Sequence, residues 1–225
     1  GVESYREVDT NGNGKPDQFR CLGVNGAKWG GDVNEDGIVD EWYVITPEEV
    51  GQEIYMAIVN KDQRRLSALT IKDTDLKKLN VPANEAANIL KRVQGSAGKL
   101  ATTVQGLALN EKARFMHAQF TQPFTIAADT FGGADDLVKH RNGVIFVDKQ
   151  DGKPLEMVAV GELIQVGRAW KLVDGPTVGA AHIGEDDPTP RVPKAIEDIV
   201  KKLIDVKPPT GAADMARYHG ERAAL

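Results

Sequence analysis

The chain has 225 residues, of which 41% are hydrophobic, 27% charged and 6% aromatic, enough for one large domain with appendages and a core of its own. Its formal charge of -5 comes without any basic run interleaved with aromatics, which argues against nucleic acid as a partner; Lys77-Lys78 and Lys201-Lys202 read as solvated helix faces. The single cysteine, Cys21, excludes an intramolecular disulfide and any multi-cysteine metal site, and no run of about 18 apolar residues is present to span a membrane.

Residues 1–45 are rich in Gly, Asp and Asn with isolated aromatics, the pattern of short strands separated by tight loops. A repeat lies within them: Asp9-Thr-Asn-Gly-Asn-Gly-Lys-Pro-Asp17 aligns with Asp32-Val-Asn-Glu-Asp-Gly-Ile-Val-Asp40, 23 residues on. Calcium takes six to eight oxygen ligands, and loops that wrap it place side-chain oxygens at alternate positions. Asp9, Asn11, Asn13 and Asp17 supply them in the first loop, and Asp32, Asn34, Asp36 and Asp40 in the second. Lys15 and Ile38, at position seven, would act through their carbonyls, and Gly14 and Gly37 occupy the sharp bend at position six. Two bound calcium ions are therefore expected, with the tighter site in the second loop, which has three carboxylates against two. The bland alternative is a pair of Asx-turns that use the same residues without metal. Arg20 and Tyr43 stand where a helix-loop-helix calcium site carries a bidentate glutamate, so that form is not expected.

Thr46-Pro47-Glu48-Glu49 reads as a capping box opening a helix with Val50, Ile54 and Ile58 on its apolar face. A helical stretch over 63–69, a turn over 73–79 and a longer helix over 83–104, with a soft point at Gly95-Ser96, follow. Alternation from Ala113 predicts a strand with Phe115, His117 and Gln119 on one side and Met116, Ala118 and Phe120 on the other. Further strands are predicted over 136–141, 143–148, 154–166 and 168–173. With turns at Asn142-Gly143, Asp151-Gly152 and Gly167, they should pair as an antiparallel meander. The expected class is thus α+β: calcium-loop β repeats over 1–45, then helices packed on a curved antiparallel sheet over 46–174. A Pro- and Gly-rich linker over 175–194 and a helical tail over 195–225, ending without a cap as though cut from a longer chain, complete it.

No established catalytic spacing is present, neither His-Glu-x-x-His nor Gly-x-Ser-x-Gly nor Cys-x-x-Cys. His117 is the one candidate base, if the cone between helices and sheet is open; Phe115, Phe146, Leu163 and Trp170 would instead fill it. Glu156 and Glu162 are expected on a solvated sheet face, and Cys21 as a small buried residue.

The loops resemble the Asp-x-Asn/Asp-x-Asn/Asp-Gly-x-x-Asp calcium loops of dockerin-like, thrombospondin-like and propeller-type extracellular modules. That likeness implies that the position-nine carboxylates of Asp17 and Asp40 take both metal bonds. It also makes Phe19 and Trp42 core plugs on the strands that follow. The span from Thr46 to Asp174, closing on Gly167-Arg-Ala-Trp-Lys-Leu-Val-Asp174, resembles the nuclear-transport-factor-2-like (cystatin-like) superfamily in layout. The whole arrangement is similar to the N-terminal part of large bacterial envelope proteins with a downstream thioredoxin-like domain, the Tyr218-His-Gly-Glu-Arg222 run included. These resemblances imply a non-enzymatic, calcium-stabilised module outside the cytoplasm. Its partner would be another protein or a second copy meeting the sheet.

Overall fold

The computed structural model describes residues 3–23 and 26–179; the expected helical tail and the linker beyond residue 179 lie outside them. Twelve strands and six helices follow one another along these residues. Four strands come first: β1 (Tyr5–Val8), β2 (Gln18–Gly23), β3 (Gly26–Gly31) and β4 (Glu41–Ile45). Helices α1 (Pro47–Asn60), α2 (Gln63–Leu69), α3 (Asp73–Lys78), α4 (Ala83–Gln94) and α5 (Ser96–Leu107) come next. The remainder is β5 (Arg114–Phe120), β6 (Phe124–Ile126), α6 (Ala128–Phe131), β7 (Leu137–His140), β8 (Gly143–Asp148), β9 (Glu156–Val160), β10 (Leu163–Val166), β11 (Arg168–Leu172) and β12 (Thr177–Val178).

The class is α+β as expected, with helices packed on a large curved antiparallel sheet that does not close into a barrel. One sheet has the order β1-β2-β3-β4-β11-β10-β7-β6 and a second β12-β9-β8-β5. The repeat strands share the larger sheet with the rest of the fold through a short parallel join, Val44 opposite Arg168 and Ile45 opposite Ala169. The capping box is present: Thr46 Oγ1 accepts from the Glu49 amide at 3.3 Å while Glu49 Oε2 accepts from the Thr46 amide at 2.9 Å. Gly95 is where the expected long helix divides into α4 and α5.

The main core lies between the sheets and helices α1, α2 and α5, built from Val50, Ile54, Ile58, Leu66, Leu69, Leu100, Leu107, Ile145, Val147, Leu163 and Leu172. Helix α1 comes so close to β5 that a Cβ on Gly51 would sit 2.5 Å from that of Ala118. A second, smaller core joins Ile71, Leu76 and Ile89 to Ile164 and Val173. Adjacent strand residues point to opposite faces, so Leu163 in one core and Ile164 in the other show that helices cover both faces of the larger sheet here.

The meander is not what forms. Strands β7 and β8 belong to different sheets, and the chain crosses between them at Arg141-Asn142. Gly143 is required for space and not for a tight turn, since a Cβ there would lie 2.4 Å from the Phe120 ring. The strand expected over 154–166 likewise splits at Gly161-Glu162 into β9 and β10, one in each sheet; a Cβ on Gly161 would meet Asp174 at 2.8 Å. The other two turns form hairpins as expected, β8 with β9 around Gly152 and β10 with β11 around Gly167, both glycines at positive φ.

In β5 the register slips between Phe115 and His117. This bulge reverses the phase of the side chains, so Phe115, Ala118 and Phe120 pack on the core while Met116, His117 and Gln119 are exposed. Ordering also continues past Asp174: Thr177 and Val178 pair with β9, and Thr103 Oγ1 donates to the Pro176 carbonyl at 2.8 Å.

Glu162 is not on a solvated face. Lys139 Nζ at 2.7 Å and Arg92 Nη2 at 2.8 Å enclose its carboxylate. Burial alone would push that carboxyl up, but the two cations outweigh it and hold the group below its usual range.

Candidate metal centre

Strands β1 to β4 pair antiparallel in sequence order, so the loops that join β1 to β2 and β3 to β4 emerge from the same end of the sheet. Their bases are tied together, the Asp32 amide donating to the Asp17 carbonyl at 2.9 Å. Glycine at Gly30 allows Trp42 to pack beneath them: a Cβ there would lie 2.6 Å from Val39 and 3.1 Å from the Trp42 ring. Trp42 is accordingly buried, whereas Phe19 is only half-buried.

Both loops fold by the same set of hydrogen bonds. The first carboxylate accepts from the position-six glycine, Gly14 amide to Asp9 Oδ2 at 2.8 Å and Gly37 amide to Asp32 Oδ2 at 2.6 Å. Position three accepts from the amide at five, Asn13 to Asn11 at 3.0 Å and Asp36 to Asn34 at 3.1 Å. Position five accepts from the amide at seven, Lys15 to Asn13 at 2.9 Å and Ile38 to Asp36 at 3.1 Å. The last carboxylate accepts from the amide at two, Thr10 to Asp17 at 3.2 Å and Val33 to Asp40 at 3.1 Å. Each ring of bonds turns the candidate side chains toward the inside of its own loop, with Gly14 at φ 89° and Gly37 at φ 87° making the bend.

The Gly14 amide above all, and that of Gly12 with it, holds the Asp9 carboxyl below the usual carboxylate range. A group whose folded value is depressed contributes fully above its unfolded value and loses that contribution as pH falls through the folded one. The Gly14 amide resonance should therefore titrate with a midpoint below the ordinary carboxylate value, about pH 3.9. A transition at or above that pH would show that Asp9 is not so held.

Two charged neighbours of the loops escape sequence reading. Glu35 sits at position four of the second loop, where the first has Gly12, and adopts a left-handed backbone at φ 59°. From there its carboxylate reaches across to the first loop, accepting from Asn11 Nδ2 at 2.6 Å and Asn13 Nδ2 at 2.7 Å. Arg64, on α2, places Nη2 2.8 Å from Asp36 and 3.6 Å from Asp40, and holds the Asp36 carboxyl below its usual range. The charge count thus shifts: the first loop gains a third carboxylate and the second gains a guanidinium. The expected advantage of the second loop does not follow from its own three acids. The internal alignment could have flagged Glu35 as a side chain at a glycine-like position; Arg64 has no local signal at all.

Among the described residues, no group of three or more His, Cys, Asp or Glu side chains converges into a preassembled metal cluster. The carboxylates are engaged by loop amides and by Arg64, so an ion entering either loop must compete with these bonds. Of the alternative catalytic residues, His117 is exposed and stacks on Phe146 with centroids 4.4 Å apart, away from the core. Phe146 therefore lies outside, while Phe115, Leu163 and Trp170 pack on the interior. His140 is buried, its Nδ1 2.5 Å from the Thr121 carbonyl and its ring against Trp170. Cys21 is partly buried beside Tyr5 and Phe19. No helix among the described residues is long and apolar enough to cross a membrane. Comparison with family models, curated proteins and solved structures finds no match to the chain.

Proposed function

We propose that the two loops bind one calcium ion each, and that the chain is a calcium-stabilised, non-enzymatic structural or interaction module working outside the cytoplasm. The observation that carries this reading is the duplicated bond pattern. Two nine-residue loops, Asp9–Asp17 and Asp32–Asp40, curl their oxygen-bearing side chains inward by the same four bonds at the same end of one sheet. Oxygen-only donor sets of carboxylate, amide and main-chain carbonyl suit a hard cation and offer nothing to a soft one. The ion would replace amide-to-carboxylate bonds with ligand bonds, and Asp9, Asn11, Asn13, Asp17 and the Lys15 carbonyl would hold one. Asp32, Asn34, Asp36, Asp40 and the Ile38 carbonyl would hold the other. Calcium outside cells is abundant enough to fill sites of modest affinity, which fits loops that lack a bidentate glutamate at position twelve. The wider likeness to envelope proteins with a nuclear-transport-factor-2-like domain belongs to the same proposal.

Calorimetric titration with calcium should give two sites. Replacing Glu35 by Gln should weaken the first, and replacing Arg64 by Ala should tighten the second, each by about threefold to tenfold, as expected for one charge near a partly exposed site. Absence of any binding heat, together with unchanged amide resonances of both loops at saturating calcium, would refute the proposal and leave the Asx-turns as purely structural.

A further inference from the structure

Lys171 is buried, at 2% exposure, and its Nζ has no hydrogen-bond partner among the described residues. It stands opposite Ile164 across β10 and β11, which turns it away from the main core toward α3. An ammonium carries three donors, and leaving them empty in a dry site is costly. The nearby carboxylates are shared with other cations. Glu41 Oε1 lies 3.9 Å from Lys171 Nζ, but the other Glu41 oxygen is 3.8 Å from Lys72. Asp75 Oδ2 accepts from the Lys72 amide at 3.0 Å, and Oδ1 lies 4.0 Å from Lys78. Burial pushes the Lys171 amine down from its usual range, as it must where compensation is incomplete.

Lys171 is one of the residues that line a cavity of about 340 Å³ between β4, α3 and the β10–β11 turn, its Nζ covered by neighbouring side chains that a ligand would have to displace. Leu79, Val166 and Ala169 give it an apolar wall, while Lys78 and Arg168 add positive charge beside it. Its size lies at the lower end of small-molecule sites, and the combination of apolar wall and one convergent polar group is what such sites use.

We propose that this cavity binds a small organic monocarboxylate, its carboxylate accepting from Lys171 Nζ and its aliphatic body lying against Leu79 and Val166. The three cations that line the cavity (Lys78, Arg168 and Lys171) outnumber the two carboxylates of Glu41 and Asp75, so an anion is the favoured charge type. The site adjoins the second loop at Glu41, the neighbour of Asp40, and uses none of the proposed calcium ligands.

Sodium butyrate, titrated into the full ¹⁵N-labelled chain against sodium chloride at matched ionic strength and constant calcium, provides the test. Saturable shifts are expected at the Gly167, Arg168 and Leu79 amides and at the Lys171 side-chain nitrogen. Lys171→Met should weaken butyrate by about tenfold or more, the loss of a charge-assisted bond, while raising the unfolding midpoint by removing an unpartnered buried amine. Shifts that match chloride, or an affinity unchanged in Lys171→Met, overturn the proposal. Inorganic phosphate saturating the same amides as tightly overturns the carboxylate assignment. Should Lys171→Met not fold, the native chain decides: a Lys171 nitrogen that butyrate does not move overturns the site.

Discussion

Removing calcium is expected to lower the midpoint of thermal unfolding by about 10–20 °C. Each site held at about 100 times its dissociation constant adds roughly 2.7 kcal/mol to the folded state, so two add about 5 kcal/mol. For a domain of this size each kcal/mol moves the midpoint by about 2–4 °C. The loss should be global and not confined to the loops, because the hairpins that carry them are part of the larger sheet. Trp42, one residue beyond the second loop's neighbour Glu41, is packed in the main core, and β4 continues into β11 through the Val44 and Ile45 pairings. Circular dichroism melts with calcium and with a chelator, the latter also in magnesium, measure the effect. A midpoint that stays put within error removes the stabilising role.

The parts of this fold that could be read from sequence are those whose cause is local. The capping box at Thr46 and Glu49 uses residues three apart, and its two bonds are present. The glycines at Gly152 and Gly167 mark hairpins because positive φ is a local demand. The repeat predicted two equivalent loops, and the same bonds occur in both. Reading fails where one residue type serves two physical ends. Gly143 and Gly161 were expected within or beside a turn and a continuous strand; each instead makes room for a neighbour distant in sequence, Phe120 or Asp174, at the point where the chain changes sheets. The slip between Phe115 and His117 moved His117 outward, because a one-residue bulge reverses alternation without leaving a trace in composition. Glu162 looked like one of two alternating surface acids, yet its cations come from α4 and β7. At the two acidic loops the same limit applies: the spacing of their oxygen-bearing residues is local, whereas Arg64 acts on Asp36 from 28 positions away in sequence.

Replacing Glu53 by Ala should cost about 3–5 kcal/mol, the range for removing one member of a buried ion pair and leaving its partner behind. Glu53 lies on α1 and is only 5% exposed. Its Oε1 accepts from Lys28 of β3 at 2.6 Å, and its Oε2 pairs with Arg65 of α2. One carboxylate thereby joins the loop-bearing hairpin to two helices. The geometry leaves Lys28 with few options: its Nζ lies over the Trp42 ring, 5.0 Å from the centroid, in a partly buried position where the ring face cannot replace a carboxylate. Arg65, more exposed, can turn to water or toward Asp62 at 3.9 Å, so most of the cost belongs to the orphaned lysine. That division is itself testable by urea denaturation of the single and double variants. Lys28→Met in the Glu53→Ala background should recover a substantial part of the loss, since it removes the charge that Glu53 neutralised, whereas Arg65→Met should recover little. A Glu53→Ala cost below about 1 kcal/mol, near that of an exposed pair, would mean that water enters this joint and that the repeats are held to the helical layer by Trp42 and the strand pairing alone.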